Sequence, residues 1–494
     1  MKSVPSQNSK KNIRHLSPLA LAIAAGLAAA PAVAQSTFFI PGNLVVSVEG
    51  NGVPGATSGS YADNQAAPLS LFQFQASGTS SASFVDSLVL PQTASGSNYA
   101  FSGEYGSSSE GALQRSGNGQ YLTIAGYGIN AATFNANPGA YSPASTNTAL
   151  AQSGSMTGQS YTAVPRVVAV IDASGNVSTS TALYNVFNAN NPRSVYSPDG
   201  STIYVSGQGT KGDSTGGVFV TTLGTTTTTP TSITGNDGGS GSSQDTRFVT
   251  AYNGQLYVST DSKAGATPRS YVGTLGTAGS LPTGLANSGS GPTQLSGTGS
   301  TSGVYTITAA NTNGVNSVGQ AVNLSPANFF FANATTMYVA DTGAPKNGKT
   351  LGDGGLQKWS LVNGSWTLDY TVSAGLNLVS ASAAAGTTGL LGLTGETVMV
   401  NGVAQEEIFA TNYTVGDTDP TFLYGLTDTL SATTKTTGEA FTQLAAAPTD
   451  SNFKGVSFAP TAAVSAVPEP ASGGLMALGL ACIGVVQRRR QRKS

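Results

Sequence analysis

Histidine and cysteine are nearly missing from this chain of 494 residues, which has one of each. His15 and Cys482 lie close to opposite ends, so the long segment between them contains neither. Ser-His-Asp and Cys-His catalysis are thereby closed to that segment, as are a His-ligated zinc and a His-ligated haem. No disulfide can form there, so the fold must rest on its own core. Charge is scarce as well, at 9% of residues, while Gly fills 63 positions. The surface must therefore be built from Ser, Thr, Asn, Gln and Gly. Disorder needs low hydrophobicity as well as polarity, and 39% of this chain is hydrophobic. An ordered, Gly-rich, weakly charged β protein fits that composition.

The near balance of 21 Lys+Arg and 23 Asp+Glu hides an asymmetry. Four cations precede Leu16 and five follow Val486, which leaves 12 basic residues against 22 acidic ones between Gln35 and Ala466. A body near −10 repels phosphate backbones, and no nucleic-acid partner is expected. The cations at the start, Lys2, Lys10, Lys11 and Arg14, stand before an apolar stretch from Leu16 to Ala30. Ala32-Val33-Ala34 follows, a small-x-small step that predicts signal-peptidase cleavage with Gln35 as first mature residue. The secretion machinery and signal peptidase are thus the first expected partners.

The other end is organised in three parts. Val467-Pro468-Glu469-Pro470 is held extended by its two prolines, which fix φ and exclude a helix. An apolar run from Leu475 to Val486 favours a bilayer, and a transmembrane helix is predicted there. Arg488, Arg489, Arg490, Arg492 and Lys493 then resist translocation and keep the tail cytoplasmic. This order resembles the PEP-CTERM sorting signal of Gram-negative bacteria. The resemblance implies recognition and cleavage near the motif by an exosortase-like membrane protease. It also implies transient anchoring followed by display at the cell surface or outside it, and a link to extracellular polysaccharide and biofilm.

Between the signals, short β-branched and aromatic runs such as Asn43–Val48 and Leu69–Phe74 alternate with Gly, Asn and Pro punctuation. No apolar period of 3.6 residues is sustained, so the class is all-β. One pattern recurs: a polar turn, often Asn-Gly or Asp-Gly, feeding a strand. Its copies are Gly119–Gly126, Ser197–Gly207, Asn253–Thr260, Asn333–Asp341 and a worn Glu407–Asn412. Aligned on Leu122, Ile203, Leu256, Met337 and Ile408, they are spaced by 81, 53, 81 and 71 residues. The copies resemble the repeat of YVTN-type β-propellers, which implies six or seven blades. Phe453–Pro460 reads as a lone last strand able to complete a sheet with the N-terminal strands and remove an open edge. A β-sandwich or a parallel β-helix remains the alternative. The expected domains are a signal peptide (1–34), the propeller-like body (35–460), a linker (461–466) and the sorting signal (467–494).

Chemistry is thinly marked. Asp417, Asp419 and Asp428 offer carboxylates for calcium, and Asn236, Asp237 and Asp245 flank a glycine loop, but turn formation accounts for both sets. Glu406 and Glu407 are strand neighbours and should point to opposite faces. Trp359, Trp366 and Tyr370 serve equally as a sugar platform or as core. No catalytic, cofactor or metal residue is assigned. A non-enzymatic surface or matrix protein is expected, with polysaccharide as partner. The alternative is a propeller enzyme, similar to lactonases or lyases, using carboxylates and a divalent cation. Changing Pro468 and Pro470 to Ala should leave export intact and block C-terminal trimming. Immunoblotting for the tail epitope checks this, and normal trimming of the variant would refute the sorting reading.

Overall fold

The computed structural model describes residues 37–51, 61–210, 212–235, 245–262, 269–298, 304–346, 351–463 and 488. Strands dominate them, and the one α-helix among them, α1 (Ala131–Ala136), is a short turn capped by Asn130. The N-terminal half builds a ten-stranded sheet. Its strands are β1 (Leu44–Gly50), β2 (Ala66–Ser77), β3 (Ser81–Val89), β4 (Ser102–Glu104), β5 (Gln114–Arg115) and β6 (Tyr121–Tyr127), with β7 (Arg166–Asp172) and β8 (Val177–Leu183) beyond them.

A four-stranded sheet follows, from β9 (Pro192–Tyr196), β10 (Thr202–Gly207), β11 (Gly217–Thr222) and β13 (Thr231–Ser232). The intervening β12 (Thr226–Thr227) turns back to β8, in parallel. A second sheet of four holds β14 (Thr246–Tyr252), β15 (Gln255–Ser262), β16 (Arg269–Leu275) and β17 (Thr293–Gln294). Short β18 (Val304–Thr306), β19 (Ala321–Asn323) and β22 (Leu351–Gly352) make a sheet of three. Next come β20 (Pro326–Asn333), β21 (Thr336–Asp341), β23 (Gly355–Val362) and β24 (Ser365–Val372). The last sheet has β25 (Thr387–Val400), β26 (Val403–Thr414), β27 (Phe422–Thr429) and β28 (Thr442–Ala446).

The final strand, β29 (Ser451–Phe458), returns to the ten-stranded sheet and pairs antiparallel with β1, Val46 opposite Val456. Apolar residues of β1 and β29 explain that choice. Leu44, Val46, Val48, Phe453, Val456 and Phe458 share a buried cluster with Phe72, Phe74, Phe409 and Leu423. Phe453 meets Phe72 and Phe74 edge-on at 6.3 and 6.0 Å. Val45, on the opposite face of β1, enters a second core with Leu69, Leu71, Leu122 and Ile124. Both faces of β1 are thus buried, which only an interior strand can sustain.

The all-β class holds, but the expected propeller of six or seven blades does not. The sheets are separate, and none closes into a barrel or propeller. One cause is β2, whose first three residues pair with β4 while its remainder pairs with β3. That sharing fuses what would be two units into a single large sheet. Nor is the fold a two-sheet sandwich or a β-helix, because the long strand pairs are antiparallel and the sheets number six among the described residues. The predicted transmembrane run 475–486 lies outside the described residues. Among those described, no helix is long and apolar enough to cross a membrane.

The repeated turn-strand pattern lands on β6, β10, β15, β21 and β26. In the fullest copy Asp199 accepts from the amides of Ser201 and Thr202 at 2.8 and 2.7 Å, and Gly200 supplies φ +85. Phe453→Ala should destabilise the chain by about 3–5 kcal/mol, the usual cost of emptying a buried aromatic site. Deleting Phe453–Pro460 should go further and expose the β1 edge to aggregation. Denaturant titration and light scattering check the two.

Candidate functional site

Where strands leave and enter a sheet antiparallel, the end of one and the start of the next share an edge. Charged residues are concentrated at such edges. Glu49 and Glu104 end β1 and β4, Arg193 and Arg247 open β9 and β14, Asp261 and Asp341 lie at the far ends of β15 and β21, and Lys454 opens β29. All seven are buried. The strands that carry several of them pack in succession: β6 against β9, β9 against β14, β14 against β20, β20 against β25 and β25 against β29.

The first group is acidic. Glu110 accepts from the Tyr127 hydroxyl and from the Asn191 amide, the latter at 2.6 Å. Glu104 accepts from the Ala151 N–H. Burial raises the pKa of both carboxyls; for Glu104 a nearby Glu110 adds to it, whereas for Glu110 its hydrogen bonds work the other way. Glu49 is pushed up to about 8, because burial outweighs the Lys454 ammonium 3.6 Å away. Beside them Arg166 satisfies its guanidinium on carbonyl oxygens of Ser153, Val164, Phe187 and Asn190 and lies 4.7 Å over the Tyr127 ring.

The second group is a relay of ion pairs. Asp245 binds Arg193 and, at 2.6 Å, Lys346, while both cations also donate to Gln208 Oε1 at 2.9 Å. Burial alone would raise Asp245; Arg193 and then Lys346 overcome it and hold the carboxyl below its ordinary value. Arg247 pairs with Asp261 at 2.8 Å, and Asp261 also accepts from the Ser270 and Ser325 hydroxyls. Asp341, receiving backbone N–H groups of Ser325 and Gly343, is nevertheless raised to about 8 by burial.

A third group sits apart. Lys358 donates to Asp428 at 2.7 Å, and the hydroxyls of Tyr338 and Tyr370 donate to the same carboxylate. Burial drives both phenols far above their ordinary range.

Two cavities lie among the packed strands. One of about 20 Å³ is lined by Glu110, Arg193, Arg247, Asn328 and Lys454. The other, of about 210 Å³, has Arg115, Thr250, Phe330, Thr394, Ser457 and Phe458 in its wall. Gly392 and Gly455 permit the close packing beside the smaller one. A Cβ on Gly392 would fall 2.5 Å from the Lys454 carbonyl oxygen, and one on Gly455 would fall 2.1 Å from the Leu113 nitrogen.

Asp428 is spent on Lys358 and two tyrosines, while Asp419 accepts from the N–H groups of Gly386 and Gly416. The structure does not gather them with Asp417, and no group of three or more His, Cys, Asp or Glu suited to a metal occurs among the described residues. Asn236 and Asp237 lie outside the described residues, whereas Asp245 belongs to the relay. Glu406 is buried and accepts from Thr397; its neighbour Glu407 is half-buried. Trp359, Trp366 and Tyr370 are buried, Trp359 and Trp366 in one core cluster and Tyr370 in another, and form no exposed platform. The charged groups themselves were not foreseen, although a lone ion inside an apolar strand (Val48-Glu49, Arg247-Phe248, Phe453-Lys454) is a visible signal.

Ala32, Ala34, Gln35, Val467–Pro470, Arg489, Arg490, Arg492 and Lys493 lie outside the described residues; Arg488 is helical and exposed. For this end of the chain a comparison with protein families is informative. A family model described as PEP-CTERM protein-sorting motif matches residues 466–490. The match spans the motif Val467–Pro470 and the cations Arg488, Arg489 and Arg490. The chain thus carries a sorting signal of exported proteins. That signal implies processing by an exosortase-type membrane enzyme. The match leaves the body out, and the YVTN-like reading of the body finds no support. No curated protein matches the chain.

Raised carboxyls set the pH response. A group whose folded pKa exceeds its unfolded value binds its proton more tightly in the native state, so stability is greatest below the unfolded pKa and falls as pH rises through the folded one. Glu49 and Asp341 at about 8 and Glu406 and Glu439 at about 7 therefore predict declining stability from about pH 4.5 to 8. Lys346, lowered to about 8 chiefly by burial, works the other way above that pH. Thermal melts across pH 4–10 check the trend, and Glu49→Gln should flatten it.

Proposed function

We propose that this is a non-enzymatic protein of the cell surface or extracellular matrix, delivered by an exosortase system and working in contact with exopolysaccharide. The observation that carries the reading is the sorting-motif match at residues 466–490. The charge of the body supports it. Lys358, Arg193, Arg247 and Lys346 are each committed to a carboxylate partner, so these ions are tied into the packing of the strands. What remains outside is largely Ser, Thr, Asn and Gly, a surface able to meet sugars through neutral hydrogen bonds.

Carboxyls poised near neutrality, Glu406 and Glu439 at about 7, favour a second reading as an enzyme that works through carboxylates. One experiment separates the two. The full-length chain, purified in detergent, is incubated with exopolysaccharide from its producing cells and with a panel of lactones and esters. Binding without product is expected. Turnover that disappears in Glu406→Gln would replace the matrix reading by the enzymatic one, and the absence of both binding and turnover would remove polysaccharide as the partner.

A further inference from the structure

Three cations from three different strands meet at the smaller cavity. Arg193 of β9, Arg247 of β14 and Lys454 of β29 line it with Asn328 of β20 and Glu110. Its volume, about 20 Å³, suits one small ion or one water. Hydrogen bonding around it is incomplete. Asn328 is only 2% exposed, yet neither its amide nitrogen nor its amide oxygen has a protein partner. The Nε–H groups of Arg193 and Arg247 are also buried and unpaired.

The unpaired atoms decide what kind of guest fits. Two guanidinium N–H groups and the two hydrogens of an amide need acceptors, and the Asn328 oxygen is the one acceptor among the unpaired atoms of these three side chains. A water would bring two further donors, whereas an anion brings acceptor capacity alone. Charge leads the same way. Asp245 is shared between Arg193 and Lys346, so one carboxylate serves two cations. Glu49, the counter-charge nearest Lys454, is raised to about 8 by burial and keeps its proton at neutral pH. The apolar walls, Ala112, Phe248, Ala327 and Leu391, screen little of the resulting positive field.

We propose that this cavity is a binding site for a small monovalent anion with the chemistry of chloride, held by Arg193, Arg247, Lys454 and the Asn328 amide. The bound ion is the common counter-charge of three sheets, those of β9, β14 and β29, and ties them together at one point. This stands apart from sugar recognition at the surface, and either can fail without the other.

Bromide is the probe. Crystals of the full-length chain grown with bromide in place of chloride should show an anomalous peak in this cavity. The melting temperature should rise by about 2 °C in chloride relative to gluconate at equal ionic strength, because a ligand that binds only the folded state stabilises it. Asn328→Asp supplies a fixed negative charge in the cavity and should lose both the peak and the halide dependence while keeping the fold. If that variant does not fold, Asn328→Leu, which removes the amide at similar volume, should lose the peak. A cavity without anomalous signal, together with melts that do not distinguish chloride from gluconate, would overturn the proposal. So would a bromide peak of unchanged height in the folded variants.

Discussion

Desolvation of charge governs this structure. Moving an ion out of water costs several kcal/mol, and the cost is offset only by a partner with good geometry or by neutralisation. Both solutions appear here. Arg193, Arg247 and Lys358 keep their charge beside carboxylates, whereas Glu49, Glu104 and Asp341 are pushed toward the protonated form. Each paired ion ties together segments far apart in sequence, such as Lys358 with Asp428 and Lys346 with Asp245. With no disulfide to join the sheets, these contacts and the cores between strands carry that task.

A low overall charge makes such an arrangement workable. An interior that holds so many ions tolerates little additional field from outside, and the chain keeps its surface nearly neutral. The acidic excess of the body is partly silent as well, because the buried carboxyls that hold protons do not contribute at neutral pH. Arg166 shows a further solution. Its guanidinium is satisfied by carbonyl oxygens and an aromatic face, so it sits in the interior with no carboxylate bonded to it.

Local chemistry was readable in the sequence wherever it acts over a few residues. Asp199-Gly200 and Asn253-Gly254 announce turns because positive φ favours Gly and Asn, and the strands that follow them are β10 and β15. The sorting motif was readable for a similar reason, since its three parts are contiguous. Sheet architecture was not, because it depends on how one strand divides its partners. Nothing local in Ala66–Ser77 tells that its first residues pair with β4 and the rest with β3. The ion network escaped for the same reason: Arg193 and Asp245 are set side by side by the packing of β9 on β14, and their separation in sequence carries no period.

The pairing of β1 with β29 bears on the order of events during export. The two halves of this seam are about 400 residues apart, Val46 facing Val456. A chain crossing a membrane from its N-terminus presents β1 first, with the edge reserved for β29 still vacant, and delivers β29 last of all the strands. Its apolar edge is then unpaired throughout translocation. The seam closes only when Phe458 has emerged, and the sorting motif begins at Val467, just beyond it. Scission at the motif therefore severs nothing that the seam uses. Placement of the motif makes release contingent on a finished barrier crossing: the tail still holds the chain at the moment its first and last strands meet.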